Sequence, residues 1–307
     1  MLRRLLVAAS QSEGLRRLAT DVPVTRNVAL RFVAGETLVD ALEVTGALNQ
    51  RGMRVTLDYL GESVHDADIA RRAAAVYLDA LDRVERDGLR CSISVKLTQV
   101  GLDVSEDLCR DLVSSICRRA AAGGRHVTID MEASAYTQRT VDLVTDLRKA
   151  GHDNVGCAVQ SYLRRTASDV AALSDLHASL RLCKGAYAEP DDVAFPSDRE
   201  VDASYARLAE QLLRSDTYPR FATHDHRLIH HVRNVAARLQ RPADSYEFQM
   251  LYGVREPLQQ RIVEAGHALR IYVPFGGEWY PYLVRRLAER PANLTFFLRA
   301  LLGRRTG

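Results

Sequence analysis

The chain has 307 residues, 47% of them hydrophobic and 26% charged, with a formal net charge of +3. Those fractions suit a soluble globular fold with a large core and exclude disorder as the main state. So small and dispersed a charge speaks against a nucleic-acid partner, and five cysteines without a Cys-x-x-Cys pair speak against a disulfide framework or a structural zinc cluster.

In chain order, Met1–Val7 carries arginines, but its apolar stretch is short for a signal peptide and far short of a membrane span. It reads as the start of an amphipathic helix continuing through Leu15 and Leu18, with an arginine-rich transit segment as the alternative. Residues 1–50 read as a helical N-terminal segment packed on a catalytic unit spanning 51–307. Leu38, Leu42, Thr45 and Leu48 recur at helical spacing, and Gly35-Glu36-Thr37 looks like a helix start.

After Gly52 the pattern changes. Short apolar runs predict strands at Arg54–Leu60, Ser92–Leu97, His126–Met131, Val155–Gln160, Leu180–Lys184, Arg220–Thr223, Tyr246–Met250 and Leu269–Val273. Longer amphipathic stretches between them predict helices at Asp68–Arg86, Ser105–Ala122, Tyr136–Ala150, Ser168–His177, Asp202–Ser215, Arg227–Leu239 and Pro257–Ala265. Gly88, Gly123, Gly151 and Gly266 stand where helices end. Glu189–Glu200, rich in acids and with two prolines, reads as an extended loop after the fifth strand. About eight alternating units predict an α/β fold, a TIM-like (β/α)8 barrel. A doubly wound open sheet is the alternative.

In such a barrel the active site lies at the C-terminal ends of the strands. Polar residues gather there: Lys96, Asp130-Met131-Glu132, Gln160-Ser161-Tyr162, Lys184, and Thr223-His224-Asp225-His226. Arg181, Glu247, Gln249 and Tyr272 lie within the strands themselves. Only three of 42 basic residues are lysine, and two of these, Lys96 and Lys184, belong to this set. A last helix, Glu278–Arg290, follows the eighth strand and lies over the barrel mouth. Tyr282, Arg285, Arg286 and Glu289 share one face of it, and paired arginines suit a two-pronged grip on a carboxylate or phosphate. His224 and His226 would serve a metal-dependent hydrolase only with further ligands, typically more His and an Asp on other strands; the eighth strand offers Tyr272 and no Asp, and the pair comes late in the chain, so metal binding is not expected. A third reading is a binding barrel that grips an anion without turnover. The chain has no Gly-x-Gly, so neither a dinucleotide fingerprint nor a Walker loop is present.

Six strand strings, among them Ile129–Glu132, Ala158–Leu163, Arg181–Tyr187 and Tyr246–Gly253, together with Tyr280–Glu289, resemble the proline dehydrogenase family in its monofunctional bacterial form. The resemblance runs over roughly residues 30–300 in order. It implies a distorted (β/α)8 barrel holding FAD, and oxidation of L-proline to Δ1-pyrroline-5-carboxylate by hydride transfer from ring C5 to flavin N5. A membrane quinone would then take the electrons.

Carried over by residue, it implies that Arg285 and Arg286, with Lys96, bind the proline carboxylate. Tyr272, Tyr282 and Leu251 would wall the ring. Asp130 and Arg181 would be the catalytic pair, Asp130 near the amine and Arg181 against the flavin. Arg181 would also pair with Glu289 to close the last helix. Met131, Gln160, Cys183, Lys184, Gly185, Ala186, Thr223 and His224 would contact FAD. Cys183, Ala188 and Asp225 depart from residues frequent in the family. The family implies a cytoplasmic protein, peripheral on the inner membrane face, with pyrroline-5-carboxylate dehydrogenase as a channelling partner.

Overall fold

The structure, a computed structural model, describes residues 30–289, with side chains to residue 284. Thr37 starts the first described helix with a capping box: its hydroxyl accepts from the Asp40 backbone N–H, and the Asp40 carboxylate accepts from the Thr37 N–H. Helix α1 (Leu38–Gln50) sends Ala41 and Leu48 into the main core. Residues 30–37 form a turn and a loop instead of the predicted helix, because Gly35, at φ +129°, and the Thr37 cap fix the helix start. The expected helix through Leu15 and Leu18 lies outside the described residues.

Eight units then follow. They are β1 (Arg54–Tyr59), α2 (Ala67–Arg86), β2 (Cys91–Lys96), α3 (Glu106–Ala122), β3 (Val127–Asp130), α4 (Ser134–Lys149), β4 (Val155–Gln160) and α5 (Thr166–Asp175). The second half is β5 (Arg181–Cys183), α6 (Asp198–Arg214), β6 (Arg220–Ala222), α7 (His226–Arg238), β7 (Glu247–Leu251), α8 (Glu256–Glu264), β8 (Leu269–Phe275) and α9 (Trp279–Glu289). The strands form a closed barrel in sequence order, and parallel pairing of β1 with β8 closes the ring. This is the predicted (β/α)8 architecture, and it leaves no place for the open sheet.

Most boundaries fall within two residues of the predicted ones. Helix α6 is the exception: it starts at Asp198, four residues before its predicted start. Ser197 and Glu200 form a second capping box there, inside a stretch whose prolines and acids read as loop. Gly88, Gly151 and Gly266 do follow helix ends with positive φ, but after α3 that role falls to Gly124 (φ +64°), since Gly123 is the cap itself at φ −93°.

Strand alternation sorts the side chains onto two sides of the ring. Val55, Leu57, Ile93, Val95, Val127 and Ile129 point outward and pack with Tyr77, Val113, Val144 and Leu208 from the helices. The alternate set includes Thr56, Asp58, Ser94, Lys96, Asp130, Arg181, Arg220, Gln249 and Arg270, and it meets inside the barrel. Arg181 reaches Ser94 at 3.1 Å and Arg220 reaches Thr128 at 3.1 Å, both across the ring. The lumen is therefore filled by charge and hydrogen bonds, where branched apolar side chains ordinarily dominate.

Arginine forks hold the opposite end. Arg125 donates to the carbonyl oxygens of Val84, Leu89 and Cys91 at 2.9–3.1 Å, tying the end of α2 to the start of β2. Arg241 does the same for Ser215, Thr217 and Ser245. One planar group satisfies three helix-end or loop carbonyls that a single ammonium cannot span. Arg125→Lys is therefore expected to lower unfolding free energy by about 1–3 kcal/mol in urea titration, as lost hydrogen bonds would. A change under about 0.5 kcal/mol, the scale of an ordinary surface substitution, would count against the staple.

Candidate active site

The C-terminal ends of β2 to β8 and the start of α9 enclose a cavity of about 1040 Å³. Each predicted site residue whose side chain is described lines it. Lys96 comes from β2, Asp130 from β3 with Met131 just after it, and Gln160 from β4. Arg181, Cys183, Lys184, Gly185 and Ala186 come from β5 and the turn after it. Thr223 and His224 follow β6, while Leu251 and Tyr272 come from β7 and β8. Tyr282 comes from α9, which places that helix at the mouth. Arg285, Arg286 and Glu289 belong to the backbone of α9, and their side chains lie outside the described residues.

The inner end is deeply buried. Asp130 accepts from Arg181 Nη1 at 2.5 Å, from Ser94 Oγ at 2.7 Å and from the Tyr272 hydroxyl at 2.6 Å. The Arg181 guanidinium also lies over the Tyr272 ring, 5.2 Å from its centroid. Lys96 Nζ donates to Asp58 at 2.7 Å and stands 3.7 Å from Asp130. Burial favours the protonated form of both carboxyls, yet they part company. Arg181, Lys96 and the Tyr272 hydroxyl outweigh burial at Asp130 and hold it below the usual carboxylate range. Burial wins at Asp58, where the pull of Lys96 is opposed by the neighbouring Asp130 carboxylate and Oδ2 has no hydrogen-bond partner among the described residues, so its carboxyl is raised. At Lys96 the two carboxylates outweigh burial and raise the ammonium further. Burial, then Asp130, pushes the Tyr272 phenol well up.

Beneath this cluster Glu247 is fully buried. It accepts from Arg270 Nε at 2.6 Å and Nη2 at 3.1 Å, and from Gln249 Nε2 at 2.7 Å. Gln249 Oε1 in turn accepts from Arg181 Nε at 2.6 Å. Burial would raise Glu247, but Arg270 and Arg220 bring it down to about 2. Arg220 lies 3.7 Å from Glu247, and burial lowers it to about 9 in spite of that carboxylate.

The outer end is wetter. Lys184 is 38% exposed there and pairs with Asp202 at 2.5 Å, and Arg227 is more exposed still. His224 Nε2 accepts from the Leu251 N–H at 2.9 Å, while His226 is exposed. Gly185 has φ +112°, and a Cβ there would come within 2.2 Å of the Tyr162 ring. The chain therefore passes that ring as bare backbone. Gln160 Oε1 and Arg181 Nη2 are buried without a hydrogen-bond partner among the described residues. A cavity at the large end of ligand-site sizes, with a bare backbone edge and orphaned polar atoms on its walls, suits a large planar polar ligand.

Asp58, Ser94 and Arg255 are parts of the site that the sequence reading did not place. Asp58 had a signal, since Arg54, Thr56 and Asp58 alternate along one face of β1.

The chain matches the family model described as proline dehydrogenase over residues 41–299. It is 37% identical over 302 residues to proline dehydrogenase 1 of Bacillus subtilis, spanning 98% of this chain and 99% of that one. Proline dehydrogenase of Deinococcus radiodurans is 36% identical over 280 residues, 90% of each chain. Among solved structures, proline utilization A from Bdellovibrio bacteriovorus superposes with a TM-score of 0.80 at 27% identity, over 92% of this chain and 34% of that one. The end-to-end match with the Bacillus protein fits the monofunctional form.

Glu247 makes the stability of this site depend on pH. Its folded value of about 2 lies below the ordinary 4.5, so its stabilisation is complete above about pH 5 and is lost as pH falls toward 2. The difference in unfolding free energy between the wild type and Glu247→Gln, followed by urea titration, should shrink over that range. A gap that does not change with pH would show that the carboxylate is not held by the arginines.

Proposed function

The chain belongs to the proline dehydrogenase family, and we propose that it oxidises L-proline to Δ1-pyrroline-5-carboxylate with FAD held in this cavity. An oxidoreductase of proline catabolism is what its relatives support. The observation that carries the finer reading is convergence. Residues singled out at the ends of seven different strands line one space, and the Asp130–Arg181–Tyr272 cluster sits at its buried end.

The residues present suit a flavin. Gly185 and Ala186 would let it lie against backbone. Met131, Gln160, Cys183, Thr223 and His224 would border it, and Lys184 would meet its phosphates at the wetter end. When bound, FAD supplies the two-electron acceptor for the ring hydrogen of proline.

The protein's part is orientation. Arg285 and Arg286, helped by Lys96, would hold the carboxylate. Tyr272, Tyr282 and Leu251 would wall the ring, so that C5 faces the acceptor at short range. Asp130, kept ionised by Arg181 and Lys96, would steady the donors around the amine, which reacts in its neutral form. Closure of α9 through an Arg181–Glu289 pair would shed water. A membrane quinone would take the electrons, and the product would pass to pyrroline-5-carboxylate dehydrogenase. Among the described residues no helix is long and apolar enough to cross a membrane. Peripheral contact with an anionic membrane face would suit the groove of about 520 Å³ between α7 and α8, lined by His230, Arg233 and Arg261 beside Ile229, Leu258 and Ile262, with Arg227 at its edge paired to Asp225.

Purified protein should carry the yellow absorption of a flavin and bleach anaerobically on addition of L-proline. A folded, FAD-supplemented protein that stays unbleached would sink the reading. Arg286→Met should raise the proline KM at least tenfold with FAD content unchanged, since a carboxylate loses a charged hydrogen-bond partner worth about 1.5–3 kcal/mol. Wild-type saturation kinetics in that variant would rule out the clamp.

A further inference from the structure

Glu247 lies a full layer below the cavity cluster, and none of the roles proposed above uses it. A carboxylate only accepts hydrogen bonds, and a guanidinium only donates them. Gln249 stands between one of each. Its Nε2 faces Glu247 Oε1 at 2.7 Å and its Oε1 faces Arg181 Nε at 2.6 Å. The opposite amide orientation would set N–H against N–H above and oxygen against carboxylate below. Because Glu247 is fully buried among Arg270, Arg220 and Arg54, it stays ionised at working pH, and the amide has one allowed direction.

The consequence reaches Arg181. Its Nε is committed to Gln249, and its Nη1 to Asp130 and Ser94. These bonds fix the plane of the guanidinium over Tyr272. They leave Nη2, buried and without a hydrogen-bond partner among the described residues, as the one nitrogen still available, its two N–H groups open to a ligand and to the Glu289 carboxylate of the proposed closure. We propose that Glu247 and Gln249 are positioning residues: a polarity relay in which the carboxylate orients the amide, the amide orients Arg181, and Arg181 presents Nη2 to the bound flavin and substrate. This rests on the flavin reading given above, and it assigns a function to Glu247, which does not line the cavity, acting through Gln249, which does.

Two single variants and their combination test it in the FAD-loaded protein. Glu247→Gln keeps the shape but lets the two amides pair either way round. Gln249→Met keeps the volume and removes both ends of the relay. Each should slow anaerobic flavin reduction at saturating proline at least tenfold, and each should shift the midpoint potential and visible band of the flavin with FAD content retained. The combination should be no slower than the worse single variant, because both break one path. The exchange Glu247→Gln with Gln249→Glu restores an acceptor toward Arg181 Nε and a donor beneath it, and it should recover most of the rate.

A purely structural role would lower melting temperature additively and leave the potential and band of the folded fraction unchanged. That outcome, or a wild-type reduction rate in Gln249→Met, would overturn the relay. If Glu247→Gln does not fold, Gln249→Met decides alone, since it leaves Glu247 with its arginines. A wild-type protein that fails to bleach with proline overturns the flavin reading. A wild type that bleaches, with variants that bleach equally fast, overturns only the relay.

Discussion

The constraint on which this structure depends is that its barrel is closed around ions. Asp58, Asp130 and Glu247 face Lys96, Arg181, Arg220 and Arg270 inside the ring, where burial weakens screening by water. Desolvating such groups costs several kcal/mol each, and only near-complete pairing offsets that. The pairing is close to complete. The exceptions are informative: one oxygen of Asp58 and single nitrogens of Arg181 and Arg220 lack hydrogen-bond partners among the described residues. The first two belong to the cluster at the inner end of the cavity, whose wall Arg181 forms. With all seven groups ionised the lumen has one more positive than negative charge, which favours an anionic group at its mouth.

The alternation of strands and helices was plain in the residue pattern, and so was the crowding of polar residues at strand ends. Both follow from outward faces such as Val55-x-Leu57 and Ile93-x-Val95, which must be apolar to seat the helices. The interior was harder to read. A strand with polar residues at every second position ordinarily means one face in water, and Ser92-x-Ser94-x-Lys96 looks the same whether that face meets solvent or a sealed lumen. Only closure of β1 against β8 distinguishes the two. Asp58 and Gln249 were therefore strand members without a task until the ring was closed. The early start of α6 escaped for a local reason, since a Ser-x-x-Glu cap outweighed a surrounding composition typical of loops.

The scarcity of lysine also finds a physical reason. Arg90, Arg125, Arg139, Arg148, Arg241 and Arg255 all donate to backbone carbonyls at helix ends and in loops. A flat group with five donors does this, and an ammonium on a flexible stem does it poorly. Lysine survives at Lys96, a compact cation between two carboxylates, at Lys184 on the cavity wall, and at exposed Lys149 near the end of α4.

A lumen built of charge has a thermal consequence. Hydrating apolar surface on unfolding raises the heat capacity, while hydrating polar surface lowers it. Opening this ring releases seven ionisable side chains to water from a place where other barrels release hydrocarbon. For its size the protein should therefore unfold with a smaller heat-capacity increment, giving a broader and flatter dome of stability against temperature. Because hydration of ions becomes less favourable as temperature rises, the barrel core should hold its advantage best at the hot edge of that dome.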